Sequence, residues 1–195
     1  MTANAWTYTV MALSGAAALV AAARLLRRPA EADAPAAGGK VREKFGPNVR
    51  LRDLYRLAVQ IEEDGTAFYL KLAERAKDPA ARKLCADLAD AEAGHRDLFR
   101  SKLERWRELP PNRAEWPGLV AKARAEGFFA EAPGDGASED EMAAYAIAQE
   151  RLSADFYGMF EEAFPDAWKR EKLRDLADQE LEHERRLRAA YPHLK

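Results

Sequence analysis

Two pairs of acidic and imidazole side chains recur along the chain with the same internal spacing. Glu92 precedes His95 by three residues, and Glu180 precedes His183 by three residues. On a helix this spacing places both side chains of a pair on one face, with their β-carbons roughly 5–6 Å apart. A carboxylate and an imidazole held in this way can bind one metal ion together. The two pairs therefore indicate metal-binding chemistry.

The repetition extends beyond these pairs and indicates a duplicated helical hairpin. A shift of 88 residues superimposes one Glu-x-x-His pair on the other, and residues 87–95 match residues 175–183 at six of nine positions. The same shift places Glu62 on Glu150, and each lies 30 residues before the glutamate of a pair. One such motif in a glutamate-rich helix is common, but two in matching positions of a repeat predict a shared site.

Helical periodicity predicts the elements that must carry these residues. Apolar residues recur at helical spacing from residue 47 onward, without the alternation that is typical of strands. The pattern predicts four long helices, over about 49–77, 79–107, 138–163 and 166–190, with a short helix near 119–125. The predicted fold class is all-α, a four-helix bundle in which a long crossover joins the second and third long helices.

The upstream glutamates are predicted to point into the bundle. Glu62 and Glu150 fall among small apolar residues such as Ala58 and Ala146. Carboxylates inside a protein need compensation, and two divalent cations would neutralise four of them. Oxygen and nitrogen donors suit iron or manganese, with zinc as a substitute. The predicted metal ligands are Glu62, Glu92, His95, Glu150, Glu180 and His183.

With this ligand pattern, residues 47–194 resemble the ferritin-like di-iron superfamily, and within it the rubrerythrin and bacterioferritin branches. The resemblance implies a ferritin-like bundle that holds two iron ions. It implies that Glu92 and Glu180 bridge the ions and that Glu62 and Glu150 are terminal ligands.

The resemblance also directs attention to residues around the ligands. Tyr69 and Tyr157 lie seven residues after the terminal glutamates, where the family often has aromatic residues, and they are candidate catalytic residues; plain core packing is the alternative. The chain departs from the family at Ser153, where rubrerythrins usually carry a further glutamate. Ala91 and Gln179 stand where an aspartate often precedes each motif in bacterioferritin-like chains.

Composition excludes several other functions. The net charge of -2 and pI of about 6.0 give no basis for nucleic-acid binding, which requires a basic excess. The single cysteine, Cys85, excludes a disulfide within the chain and a four-cysteine iron site such as that of the rubredoxin domain attached to most rubrerythrins. A peroxidase of this type would therefore need an external electron donor.

The N-terminal segment is predicted to be a membrane anchor. Residues 6–23 carry no charge and are followed by Arg24, Arg27 and Arg28, and a spanning helix needs roughly 17–25 such residues. A cleaved signal peptide is the alternative, but the first five residues lack the positive charge that it requires. The predicted division is a transmembrane anchor over 1–28, a flexible linker over 29–46 and the di-iron domain over 47–195. The arginines place that domain in the cytoplasm.

These observations lead to an expected function with two alternatives. The expected protein is membrane-anchored and oxidises Fe(II) with O2 or hydrogen peroxide. One alternative is a di-iron hydroxylase of a membrane-associated, quinone-like substrate, and the other is a non-enzymatic anchored bundle that binds iron. The expected partners are membrane lipid and, by resemblance, a second copy of the chain in a homodimer. A 24-subunit cage is not expected, because every subunit would carry an apolar helix.

Overall fold

The computed structural model describes Ala36, residues 38–104 and residues 116–194. Its regular elements over those residues are six helices: α1 (Gly39–Phe45), α2 (Leu51–Arg75), α3 (Pro79–Glu104), α4 (Trp116–Ala125), α5 (Glu139–Glu161) and α6 (Ala167–Ala190). None of these helices has the length and apolar character that a bilayer crossing requires. The predicted anchor over 1–28 lies outside the described residues.

The helix boundaries follow the capping residues of the sequence. The Asp78 side chain accepts a hydrogen bond from the Ala80 backbone N–H at 3.0 Å, and Pro79 is the first residue of α3. Ser138 and Glu141 form a reciprocal capping box at the start of α5, which satisfies backbone N–H groups that have no partner within the helix. Both predicted helix starts are confirmed.

The four long helices form two hairpins that pack against each other. Helix α2 packs along α3, and α5 packs along α6; across the hairpins α2 contacts α5 and α3 contacts α6. The short connections after Arg75 and Glu161 allow only antiparallel pairing within each hairpin. The predicted all-α, ferritin-like bundle is confirmed in this arrangement.

The apolar core is divided into two clusters along the bundle. One cluster contains residues from the start of α2 and the end of α5, such as Leu54 and Phe160. The other contains residues from the end of α2 and the start of α5, such as Leu72 and Met142. In each long helix the predicted metal ligands lie between the residues of the two clusters. The carboxylates and imidazoles thus form a polar layer enclosed by apolar core on both sides.

The end of the predicted flexible linker is a helix instead. Residues Gly39–Phe45 form α1, and Val41 and Phe45 are buried against the bundle. The Phe45 ring meets the edge of the Phe156 ring at 6.3 Å. A segment of seven residues is too short for helical periodicity to be recognised, and an isolated helix of this length is unstable in water. Packing against the bundle supplies the stability that the local sequence lacks.

Candidate metal centre

The structure brings all six predicted ligands into one buried layer. Two sets of four residues each place one nitrogen or oxygen atom within 4.8 Å of one another. The first set is Glu62, Glu92, His95 and Glu180, and the second is Glu92, Glu150, Glu180 and His183. Glu92 and Glu180 belong to both sets, so they occupy the place of ligands shared by two ions. Their assignment as metal ligands stays a prediction that this geometry supports.

Each of the six side chains has one buried polar atom without a hydrogen-bond partner. These atoms are Glu62 Oε2, Glu92 Oε1, His95 Nδ1, Glu150 Oε2, Glu180 Oε1 and His183 Nδ1. Leaving a buried polar atom unsatisfied costs about 1–3 kcal/mol, and more for a charged group. Six such atoms gathered in one layer are explained if they face bound cations. The residues therefore fit a pair of metal ions.

The contacts around the two histidines repeat with pseudo-twofold symmetry. His95 Nδ1 lies 3.1 Å from Glu180 Oε1 and 3.6 Å from Glu62 Oε2. His183 Nδ1 lies 3.2 Å from Glu92 Oε1 and 3.5 Å from Glu150 Oε2. The two imidazole rings are 6.0 Å apart and inclined by only 17°. The duplication seen in the sequence is therefore present in the geometry of the site.

The two candidate catalytic tyrosines connect the hairpins through the terminal carboxylates. Tyr69 of α2 donates a hydrogen bond to Glu150 Oε1 of α5, and Tyr157 of α5 donates one to Glu62 Oε1 of α2. Both hydroxyls are buried, and in each carboxylate the second oxygen faces the cluster without a partner. The tyrosines thus orient the terminal glutamates, which plain core packing would not do. Their catalytic role stays a prediction.

His95 has a polar partner behind its ring that orients the imidazole. The Gln179 side-chain amide donates to the Asp175 carbonyl at 3.1 Å, so its oxygen faces His95 Nε2 at 3.2 Å. His95 Nε2 then donates a hydrogen bond to this oxygen, and Nδ1 is the ring nitrogen that faces the cluster. Ala91 occupies the equivalent position in the other half of the repeat and offers no polar side chain. The two halves of the site therefore differ behind their histidines.

In the metal-free protein, several side chains of the cluster favour their protonated forms. Burial is the largest influence on the pKa of Glu62 and of Glu150, and it raises both well above their usual range. Burial alone would lower the pKa of His183, but its contacts with the carboxylates, that of Glu150 foremost, raise it to about 12. Burial would raise the pKa of Glu180, but His183 and His95 lower it to about 2. A metal ion must displace these retained protons to bind.

The sequence did not predict the cavity that leads to the cluster. A cavity of about 410 Å³ lies between α2, α5 and the segment that follows α4, and Glu92, Glu150 and Glu180 form part of its wall. The one signal in the sequence was Gly65, a glycine in the middle of a long helix. The role of Gln179 was also missed, because its position alone does not show which ring it contacts.

Comparisons with known proteins agree with this arrangement. Residues 53–191 match the family described as Rubrerythrin. The solved structure of a hypothetical protein from Pyrococcus furiosus is similar at 26% sequence identity, with a TM-score of 0.56, over 75% of this chain and 91% of that chain. No curated protein matches the sequence.

Proposed function

The chain belongs to the rubrerythrin family, and from that premise we propose that it is a di-iron oxidoreductase that oxidises Fe(II) with O2 or hydrogen peroxide. One observation carries the proposal. Six buried side chains form two four-ligand sets that share Glu92 and Glu180, and each of the six carries one polar atom without a hydrogen bond within the described part of the chain. Four carboxylates and two imidazoles match the ligand preference of iron, and two divalent ions balance their charge. Manganese or zinc would fit the same donors.

The chemistry of the proposed reaction is divided between the ions and the protein. Two iron ions held by these six side chains would supply one-electron redox chemistry toward a common oxidant. Glu92 and Glu180 would contact both ions, because each belongs to both ligand sets. The apolar clusters above and below the layer exclude water along the bundle axis, so that solvent reaches the carboxylates only from the side of the bundle.

Tyr69 and Tyr157 donate hydrogen bonds to the carboxylates of Glu150 and Glu62. Burial raises the pKa of Tyr69 well above its usual range, and the Glu150 carboxylate raises it further. The hydroxyl therefore stays protonated at neutral pH and donates to Glu150 Oε1, so the other oxygen remains directed at the cluster. From the opposite hairpin, the Tyr157 hydroxyl donates to Glu62 Oε1, and the other oxygen of Glu62 is directed at the cluster.

Anaerobic titration with Fe(II) followed by O2 or hydrogen peroxide tests the proposal. We expect two iron ions per chain and a rise in near-ultraviolet ferric absorbance after the oxidant is added. Glu92→Gln removes a ligand shared by both sets and should abolish the two-ion stoichiometry. Glu74→Gln is the matched control, because Glu74 is an exposed glutamate of α2. A wild-type protein that binds fewer than two ions, or that gives no oxidant-dependent signal, would contradict the proposal.

We propose further that residues 6–23 anchor the protein as a single membrane-spanning helix, with the di-iron domain in the cytoplasm and the chain as a homodimer. The uncharged sequence and the arginines that follow it support the anchor and its orientation, and the family resemblance is the support for the homodimer. The full chain should stay with membranes after carbonate extraction, and Leu13→Arg combined with Val20→Arg should release it. Release of the unsubstituted chain by carbonate would contradict the anchor.

A further inference from the structure

The cavity beside the cluster is larger than the proposed oxidants need. Its volume is about 410 Å³, whereas a water molecule occupies about 30 Å³ of liquid volume and hydrogen peroxide is larger than water by only one oxygen atom. Three carboxylates, those of Glu92, Glu150 and Glu180, form part of its wall. It therefore connects the interior of the site with the surface through a space of the size of a small organic molecule.

A glycine leaves space at the inner end of the cavity, although the neighbouring side chains would tolerate a β-carbon at this position. Gly65 lies within α2, where alanine has the higher helix propensity. A β-carbon at this position would meet Glu92 Cγ at 3.5 Å and Glu92 Oε2 at 3.6 Å, which is ordinary van der Waals contact. The pseudo-equivalent position on α5 is Ser153, which is also small and also lines the cavity. Two small residues thus leave free space next to the carboxylates.

The outer wall is a turn held in an unusual backbone conformation. Phe129 has a φ of 56°, a region in which a bulky residue is rare and the backbone is strained. Gly127 has a φ of 94° and precedes it. The Tyr145 hydroxyl donates to the Ala130 carbonyl at 3.0 Å, which fastens this segment to α5. The strained turn therefore places Phe129 in the wall of the cavity.

The lining specifies the class of ligand. Phe68, Phe129 and Met142 provide apolar and aromatic walls, and the Phe68 ring lies 4.8 Å from that of Tyr145. Hydrogen-bond acceptors, the carboxylate oxygens, are concentrated at the inner end. A hydroxyl group can donate to these oxygens, whereas a fully deprotonated anion has no proton to donate. The charged lining residues Asp64, Lys71, Arg124 and Glu131 are of both signs and favour neither a cation nor an anion.

We propose that this cavity binds a small uncharged aromatic molecule with a phenolic hydroxyl, and that this molecule is the organic reductant of the metal site. The role as reductant rests on the proposed function, whereas the binding does not. For a hydroquinone, two O–H bonds break and a quinone forms, releasing two electrons and two protons. Hydrogen peroxide accepts both, its O–O bond breaks, and two water molecules form. The reaction is balanced without a further redox partner.

Binding of 2-naphthol, which has eleven non-hydrogen atoms and one hydroxyl, tests the first part by calorimetry on the full chain, metal-free and loaded with Zn(II). We expect saturable one-to-one binding in both forms. Ser153→Leu fills the cavity beside Glu150 and should weaken binding at least tenfold. Ala148→Leu is the matched control, because Ala148 is an exposed residue of the same helix. Gly65→Ala is a milder obstruction, since the added methyl group fits, and should weaken binding by a smaller factor.

The outcomes separate this inference from the proposed function. Binding that does not saturate, or that Ser153→Leu and Gly65→Ala leave unchanged, overturns the proposed site. The iron-loaded chain should consume peroxide and hydroquinone in a one-to-one ratio, and Ser153→Leu should raise the KM for hydroquinone. If 2-naphthol binds as expected but no peroxide is consumed, the binding site stands and the role as reductant is overturned. Failure of the Fe(II) titration would overturn the proposed function separately.

Discussion

Substitution of Gln179 by alanine should weaken one metal position and leave the other unchanged. The Gln179 side-chain oxygen lies 3.2 Å from His95 Nε2, and its amide donates to the Asp175 carbonyl. This chain of contacts fixes the tautomer in which His95 Nδ1 faces the cluster. Loss of such a partner behind a metal-binding histidine typically lowers affinity 10–100-fold, which corresponds to about 1.4–2.7 kcal/mol. His183 has Ala91 at the equivalent place, so its position should not respond.

Anaerobic titration with Co(II), followed by visible absorbance, can resolve the two positions. In Gln179→Ala we expect one of the two ions to bind 10–100-fold more weakly. Gln179→Glu should restore the affinity, because a carboxylate also accepts a hydrogen bond from Nε2. Since Gln179 is exposed, the unfolding free energy of the metal-free variant should stay within about 0.5 kcal/mol of wild type. Equal weakening of both ions, or no weakening, would refute the argument that Gln179 acts through His95.

Three further predictions follow from the environment of the buried polar groups. Tyr157→Phe removes the hydrogen bond to Glu62 and should lower the unfolding free energy by about 1–3 kcal/mol in urea titrations; a change below about 0.5 kcal/mol would indicate plain core packing. The metal-free chain should lose stability as pH rises from 6.5 to 9. Burial alone lowers the pKa of His183, but the nearby carboxylates, chiefly Glu150, raise it to about 12, so above pH 6.5 the folded state binds more protons than the unfolded state. A urea midpoint that increases over this range would contradict that sign. Burial raises the pKa of the Cys85 thiol to about 11, so the folded chain should react slowly with a thiol reagent at pH 8 and completely in urea; rapid labelling of the folded chain would be inconsistent with this burial.

The long helices were predictable because the residues that start them form recognisable local patterns in the sequence. The capping box of Ser138 and Glu141 and the Asp78-Pro79 start are local patterns, and a helix boundary depends mainly on local hydrogen bonding. Helix α1 was not predictable in the same way. It is seven residues long, and its stability depends on the burial of Val41 and Phe45 against helices that are distant in sequence.

The orientation of the site was only partly predictable. The spacing of Glu92 and His95 shows that they share a helix face, but not which carboxylates lie opposite them. The crossed contacts, Tyr69 with Glu150 and Tyr157 with Glu62, depend on how the two hairpins dock. A repeat in the sequence implies that such contacts occur in pairs, but it does not show which tyrosine contacts which glutamate.

The sequence alone determined that this protein is a duplicated helical hairpin with six candidate metal ligands. Repeats, helix caps and helical spacing are patterns that can be recognised along the chain without knowledge of how it packs. The tertiary structure decided which atoms of those ligands meet, that Gln179 supports only one histidine, and that a cavity beside Gly65 reaches the carboxylates. These features arise from the packing of one helix against another, where distances between side chains remote in sequence are set by the core as a whole.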